Sequence, residues 1–229
     1  MTIKKKEIKF YSPKFYGLFV NIDKDVLPYN YNRFDYTTTD EKKVKTHKEL
    51  LQSLEKKEND RLGIIDSKTS QIITFTGIIF SALSLFIPIL LDKIGDQYLF
   101  VRIIFIVVLI SAFSFYILTI HNAIRNYNIL QFIYSNSDPN NVIKYQSKTV
   151  DEFNAIEIQD LLYAYNQNLK TNNDKANNLI YAFRSFRVAN FFTALIGIFI
   201  CTSLLFAQPK DKEITIKNPI QFQYFPVRK

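Results

Sequence analysis

The chain has 229 residues and a formal net charge of +8, and 48% of its residues are hydrophobic. Its single cysteine, Cys201, excludes an intramolecular disulfide and a cysteine-based metal site. Its two histidines, His47 and His121, lie far apart and show none of the spacings of a zinc enzyme. With only five glycines, no phosphate-binding loop can be assembled. We therefore expect neither an enzyme nor a bound cofactor.

The excess of basic residues raises the question of nucleic acid binding. These residues are scattered, however, and no Arg-Gly or zinc pattern accompanies them. Basic residues beside membrane spans set orientation and contact anionic lipid headgroups. We therefore expect membrane lipid as a partner and no nucleic acid.

Residues 1–36 are rich in aromatic residues, lysine and asparagine, and two short apolar runs flank Pro13. We expect an N-terminal segment of short strands and loops there. A helix-start pattern follows at residues 37–41, with threonine hydroxyls as caps and acids in the first turn. Residues 37–70 then carry one apolar stripe on a charged helix, which predicts a cytoplasmic stalk helix.

Three stretches are apolar for about the length that a helix needs to cross the hydrocarbon core. Residues 71–91 and 188–207 carry no charge, and residues 99–120 carry only Arg102. Nothing breaks the helical pattern between the stalk and the first span. One continuous helix is therefore expected from about residue 40 to the end of that span.

The connections between the spans also follow recognisable patterns. Residues 92–98 form a short turn that can join only antiparallel neighbours. The second helix meets no breaker at the end of its span, so we expect it to continue through Phe132. Within residues 121–187, Thr149 and Glu152 form a capping box, and apolar residues then recur in steps of three and four. This predicts a long helix that pairs with the stalk helix as a coiled coil and continues into the third span.

The tail, residues 208–229, alternates apolar and polar residues and predicts a β-like hairpin. The predicted fold class is therefore mainly α: an integral membrane protein with three transmembrane helices continuous with a cytoplasmic helical stalk, and minor β structure at both termini. Residues 1–70 hold fifteen Lys and Arg and residues 121–187 hold seven, which predicts that the N-terminus and the long helical segment lie in the cytoplasm. The tail then lies outside the cell, unless the third span is re-entrant and returns it to the cytoplasm.

Charged and polar residues lie within one or two helical turns of the inner ends of the three spans. They suit interfacial anchoring with a structural ion pair from Asp66 to Arg184 or Arg125. They also suit a charged collar or a ligand-sensing switch. The candidates are Asp66, Lys68, His121, Arg125, Arg184 and Arg187.

Small and polar side chains share one face of the first span and one face of the third. Such a face suits close helix packing, or the lining of a pore formed when several copies associate. Asn190 is the strongly polar member of the set. The residues are Gly77, Ser81, Ser84, Asn190, Ala194, Gly197 and Cys201.

Two runs that lead into the first and third spans resemble short motifs of a known group of proteins. Asp66, Lys68 and Thr69 resemble a D-x-K-A pattern, in which threonine stands in place of alanine. Asn168 and Lys175 occupy matched positions in a run that resembles a Y-x(n)-N-x-K-A pattern.

Together these runs are similar to SLATT-type and Pycsar-type transmembrane effectors of bacterial anti-phage defence, over roughly residues 45–207. The resemblance implies a homo-oligomer that responds to a nucleotide signal or a cytosolic sensor protein and damages the inner membrane. It implies structural roles for the matched residues before binding roles. Two alternatives remain open: a non-enzymatic membrane scaffold that anchors a cytosolic partner, and an ion channel or transporter subunit.

Overall fold

The computed structural model describes residues 16–17, 29, 31–38, 40–94, 98–128, 132, 134–136 and 139–206. Within these ranges the chain is mainly helical and contains no strand. The strands expected at the two ends fall outside these ranges, apart from Tyr16 and Gly17.

Two very long helices dominate the fold. Helix α1 runs over Glu41–Ile94 and has 54 residues, and helix α4 runs over Val150–Phe206 and has 57 residues. The prediction that each is continuous from its charged part into its apolar part is confirmed. We call their charged parts, residues 41–70 and 150–187, the rods.

The starts of both helices are capped by side chains. The carboxylate of Asp40 accepts hydrogen bonds from the backbone N–H groups of Lys42 and Lys43 at 3.1 and 3.2 Å. The acid thus caps α1 in place of the expected threonine hydroxyls, because one carboxylate oxygen can accept from two free N–H groups. The capping box of α4 is confirmed: Glu152 N–H donates to Thr149 Oγ1, and Thr149 N–H donates to Glu152 Oε2, each at 3.3 Å.

Helix α2 runs over Leu99–Ile124 and passes into a short 3-10 turn at Arg125–Tyr127. The expectation that it continues through Phe132 is wrong. At Asn128 the backbone is extended, with φ −74° and ψ 99°. The described residues 128, 132, 134–136 and 139, which we call the connector, lead from there to the short helix α3, Asn140–Lys144.

The two rods pack against each other through apolar side chains. The buried cluster comprises Val44, Leu51, Ile158 and Leu161. These residues recur at helical spacing on each rod, so each apolar stripe covers the other. The prediction that the rods are partners is thereby confirmed.

The apolar parts of the helices form a bundle of three. One buried cluster comprises Phe105, Leu109, Ala112 and Ile196, and a second comprises Leu83, Tyr116 and Ala189. By length and composition, three helices are able to cross a membrane: Glu41–Pro88, Leu99–Tyr127 and Val150–Thr202. Large apolar side chains cover the outside of this bundle, including Ile78, Leu85 and Ile198.

Neighbouring leucines on α1 allow a matched test of rod packing. Leu51 is 8% exposed and Leu50 is 57% exposed. Leu51→Ala should lower the free energy of unfolding by about 2–5 kcal/mol, because it leaves a cavity between the rods. Leu50→Ala should change it by about 0.5 kcal/mol or less. Chemical unfolding of the detergent-solubilised chain, followed by circular dichroism, checks both, and equal losses would contradict the packing.

Candidate functional site at the junction of rods and spans

Buried polar side chains concentrate where the charged rods give way to the apolar bundle, and we call this region the junction. Buried polar groups in native proteins are normally hydrogen-bonded, so they fix helix positions more specifically than apolar contacts do. The buried polar residues of the junction and the adjoining helices are Thr69, Thr76, Thr119, Asn122, Asn126, Asn166, Asn168, Asn172, Lys175, Asn178 and Ser185.

Lys175 is the buried charge of the junction, and only 7% of its surface is exposed. Its Nζ lies 3.2 Å from Asp66 Oδ1 on α1. The same Nζ lies 5.6 and 5.5 Å from the ring centroids of Phe132 and Tyr134 in the connector. One carboxylate and two aromatic rings therefore hold the ammonium group. The expectation that Asp66 pairs with Arg184 or Arg125 is wrong.

Asn172 joins both rods to the connector. Its Nδ2 donates to the backbone oxygen and to Oε2 of Glu58, each at 2.9 Å. Its Oδ1 accepts a hydrogen bond from the hydroxyl of Tyr134 at 3.0 Å. Burial, and then the negative charges of Asp66 and Glu58, raise the pKa of Tyr134. The phenol therefore stays protonated and remains a donor at neutral pH.

Further polar contacts tie α1 to α4 along the rods. Arg61 Nη2 donates to Asn173 Oδ1 at 2.9 Å. Nearer the rod tips, Lys48 Nζ lies 2.6 Å from Glu157 Oε2. Both pairs cross from one rod to the other, so the rods are held in register by specific partners as well as by their apolar stripe.

Two asparagines of α4 bind the backbone of another segment through both ends of their amide groups. Asn168 Oδ1 accepts from Ser135 N–H, and its Nδ2 donates to Ser135 O, each at 2.9 Å. Asn166 does the same with Tyr29, at 3.0 and 2.8 Å. Each amide reproduces the pair of hydrogen bonds that a neighbouring strand would make. Helix α4 therefore holds one segment outside the long helices with each of these two amide groups.

The end of α2 is tied to α1 and to the N-terminal segment. Asn126 Nδ2 donates to Thr69 Oγ1 at 3.0 Å, and Asn122 Nδ2 donates to Tyr16 O at 2.7 Å. At Gly17 an added Cβ would lie 2.8 Å from the ring of Tyr181, and φ is +82°. Only glycine fits this close approach without strain.

The remaining candidates at the inner ends of the spans are spread over the surface. Lys68, His121 and Arg187 are exposed and do not join the network around Lys175. Arg125 Nη1 donates to Gly17 O at 3.3 Å. The guanidinium of Arg184 lies 5.6 Å from the ring centroid of Tyr181. The structure thus brings only Asp66 of the six candidates into the buried network.

The small-residue candidates lie largely on the outside of the bundle. An added Cβ at Gly77 or Gly197 would meet nothing within 4 Å. Ser81, Ser84, Ala194 and Cys201 are exposed. Close packing of these residues against another helix is therefore not made within one chain.

Asn190 is the member of that set with a partner inside the bundle. Its Oδ1 accepts a hydrogen bond from the hydroxyl of Tyr116 at 2.8 Å, and this hydroxyl also lies 2.9 Å from Thr193 Oγ1. Tyr116 is fully buried. The polar group of Asn190 is therefore satisfied within one copy and joins α2 to α4.

No family model, curated protein or solved structure matches this chain. Among the residues that the structure describes, no group of three His, Cys, Asp or Glu is placed to hold a metal ion.

Sequence reasoning missed Asn126, Asn166 and Asn172 as parts of the junction. For Asn166 and Asn172 the available signal was the density of asparagine on α4, because isolated helices disfavour asparagine in their interior. An interior helical asparagine therefore points to a tertiary hydrogen bond. Of the four residues matched by the resemblance, three belong to the junction network: Asp66, Asn168 and Lys175.

Removing the carboxylate of Asp66 leaves the buried ammonium of Lys175 without its counter-ion. Asp66→Asn should therefore lower the free energy of unfolding by about 1–2 kcal/mol. The loss is modest because the Asp66 side chain is 38% exposed, so that water screens its charge. In a double-mutant cycle with Lys175→Met, the two residues should show a coupling of about 1 kcal/mol. Lys68→Met, on the exposed side of the same helix, is the control, and an equal effect there would refute the pairing.

Asp174, next to Lys175, gives a pH test. Burial raises the pKa of this carboxyl, and the nearby Lys170 offsets the rise only in part. The folded chain therefore binds the proton more tightly than the unfolded chain, and stability falls as pH rises from below the ordinary pKa through the raised one. Asp174→Asn should flatten this decline and stabilise the chain at pH 7. A steeper decline in the variant, measured by unfolding across pH 3–7, would contradict the assignment.

Proposed function

We propose that this chain is a bacterial membrane effector, whose cytoplasmic rods receive a signal and whose spans rearrange between copies to perturb or permeabilise the inner membrane. The observation that carries the proposal is helix continuity. Helices α1 and α4 each run without a break from the rods into the apolar bundle. A displacement at the rod tips is therefore transmitted to the spans along hydrogen-bonded helices instead of being lost in a flexible loop.

The junction supports the proposal because it has the features of a switching element. Its central ion pair joins Lys175 to Asp66 across the two rods. Four buried polar atoms nearby have no hydrogen-bond partner among the described residues: Asn122 Oδ1, Asn126 Oδ1, Asn178 Nδ2 and Ser185 Oγ. Incompletely satisfied buried groups lower the cost of a rearrangement that gives them partners or water.

The outer surface of the bundle supports association of copies. The positions Gly77 and Gly197 leave open space beside their backbones, and Ala194 and Cys201 are exposed. In lipid, helices associate through faces of small residues that allow close backbone contact. In this proposal the small-residue candidates therefore serve contacts between copies.

The resemblance to transmembrane effectors of anti-phage defence suggests the setting. It supports a trigger that is a nucleotide signal or a cytosolic sensor protein, and an N-terminus in the cytoplasm. Asp66, Asn168 and Lys175 then have structural roles at the junction, as that resemblance implies.

Production of the chain in a bacterial host, with a membrane-potential dye as readout, tests the proposal. Depolarisation should appear above a threshold of protein level, because assembly of copies depends on concentration. Gly197→Leu should raise that threshold, since its side chain fills the small-residue face without disturbing one copy. Gly63→Leu, equally open but in the rod, is the matched control.

Stable membrane insertion with an unchanged potential at every protein level would overturn the proposal. If a cytosolic protein also co-purified in equal amounts, the chain would be a scaffold instead. Depolarisation that responds equally to Gly197→Leu and Gly63→Leu would remove the small-residue face from the mechanism.

A further inference from the structure

Four polar side-chain atoms between α2 and α4 are buried and have no hydrogen-bond partner among the described residues. Asn122 Oδ1 and Asn126 Oδ1 belong to the end of α2 and the turn that follows it, and Asn178 Nδ2 and Ser185 Oγ belong to α4. All four residues are 1% exposed or less. Unpaired buried polar atoms are rare in native proteins, so four at one interface require an explanation.

The helices α2 and α4 run antiparallel through this region. The hydroxyl of Tyr116 donates to Asn190, whereas Ala123, which is later on α2, shares a buried cluster with Ala182, which is earlier on α4. A step along α2 toward the rods is therefore matched by an equal step back along α4. The contact between the two alanines defines a level from which the polar atoms can be placed.

Measured from this alanine level, the polar atoms form one pair on each side. Toward the rods, Asn126 and Asn178 lie three and four residues away, or about 4.5 and 6 Å along the helices. Toward the spans, Asn122 and Ser185 lie one and three residues away, or about 1.5 and 4.5 Å. The two members of each pair are thus within about 3 Å of each other along the bundle axis.

Contacts with α1 place the first pair at the same level independently. Asn126 Nδ2 donates to Thr69 Oγ1 at 3.0 Å. Thr69 lies three residues beyond Asp66 on α1, and Asn178 lies three residues beyond Lys175 on α4, where the ion pair joins the two parallel helices. Asn126, Thr69 and Asn178 therefore meet at one level in the interior of the bundle, and each is buried.

Each pair combines atoms that one water molecule can join. Asn126 Oδ1 is an acceptor and Asn178 Nδ2 is a donor, while Asn122 Oδ1 is an acceptor and the Ser185 hydroxyl is both. No direct hydrogen bond joins either pair. A water between the two members donates to the amide oxygen and accepts from the N–H or O–H group, so it satisfies both atoms at once.

The polar atoms cannot find these partners on the outside of the bundle. At the same level the outer surface carries the exposed apolar side chains of Ile124, Ile180 and Phe183. An apolar surface offers no hydrogen bond, and a polar group turned toward it would remain unpaired. The four atoms must therefore be satisfied from the interior.

We propose that the interface between α2 and α4 binds two water molecules, one between Asn126 and Asn178 and one between Asn122 and Ser185. Water is the ligand because the first pair offers a donor as well as an acceptor, and the N–H group of Asn178 would repel a cation. A bound water satisfies these groups without fixing the spacing of the helices, so α2 is able to shift on α4 while its amides keep a partner. Water binding here does not depend on the proposed function.

Removal of the Ser185 hydroxyl distinguishes a hydrated site from a dry one. Ser185→Ala should lower the ratio of folded to unfolded chain about fivefold, because Asn122 Oδ1 loses its water-mediated link to α4. In a dry site the change should raise that ratio, because it removes an unpaired buried group. Thr76→Val is the matched control. The Thr76 hydroxyl donates to Ile72 O of its own helix at 2.6 Å, so its loss should change the ratio about twofold or less.

Solid-state NMR of the full chain in lipid bilayers detects the water itself. Magnetisation that starts on water should pass at short mixing times to the side-chain amide of Asn178 and to the methyl group of Ala182. It should not reach Ala112, which is equally buried but lies in the apolar cluster with Phe105 and Leu109. Asn178→Leu should abolish the transfer to Ala182, because it removes the donor and fills the space.

Three results would overturn the inference. The first is a folded chain in which no magnetisation passes from water to Asn178 or Ala182. The second is transfer to Ala182 that persists unchanged in Asn178→Leu, because that water would not be held by the proposed pair. The third is a rise in stability with Ser185→Ala, which would show that the second pair is dry.

Discussion

The buried ammonium of Lys175 is the interaction on which the junction depends. It belongs to α4, but its carboxylate partner is on α1 and its aromatic neighbours are in the connector. One cation therefore joins three segments that are distant in sequence. A buried charge without a partner is far more costly than a buried pair, so these segments are constrained to move together. A displacement of one of these segments therefore changes the surroundings of the other two.

The long helices place an apolar contact on either side of this polar layer. Val44 and Ile158 pack the rods together, while Phe105 and Ile196 pack the spans. Apolar packing tolerates sliding more readily than a hydrogen-bonded ion pair does. The polar layer thus fixes the register of the helices, and the apolar layers supply most of the stability. The register of α1 against α4 is therefore specified mainly at this polar layer.

Two segments outside the long helices pack on α4, and they differ in how much apolar surface they bury there. Asn168 and Asn166 bind backbone in the same way, yet Phe132 in the connector is buried whereas Tyr29, the residue that Asn166 binds, is half exposed. Hydrogen bonds exchange with water at little net cost, but buried apolar surface does not. Although Asn168 and Asn166 make equivalent hydrogen bonds, the connector is therefore held more strongly than the segment around Tyr29.

The sequence by itself determined three helices apolar and long enough to cross a membrane, the unbroken helices α1 and α4, the capping box at Thr149 and the pairing of the rods, because apolar length, periodicity and capping are local properties. Tertiary structure alone decided the partner of Asp66, which is 109 positions away, and the end of α2. It also decided the amide clamp between Asn166 and Tyr29, 137 positions apart. Charge and hydrogen-bonding capacity are visible in a sequence, but the choice among many possible partners depends on which helices meet and at which register.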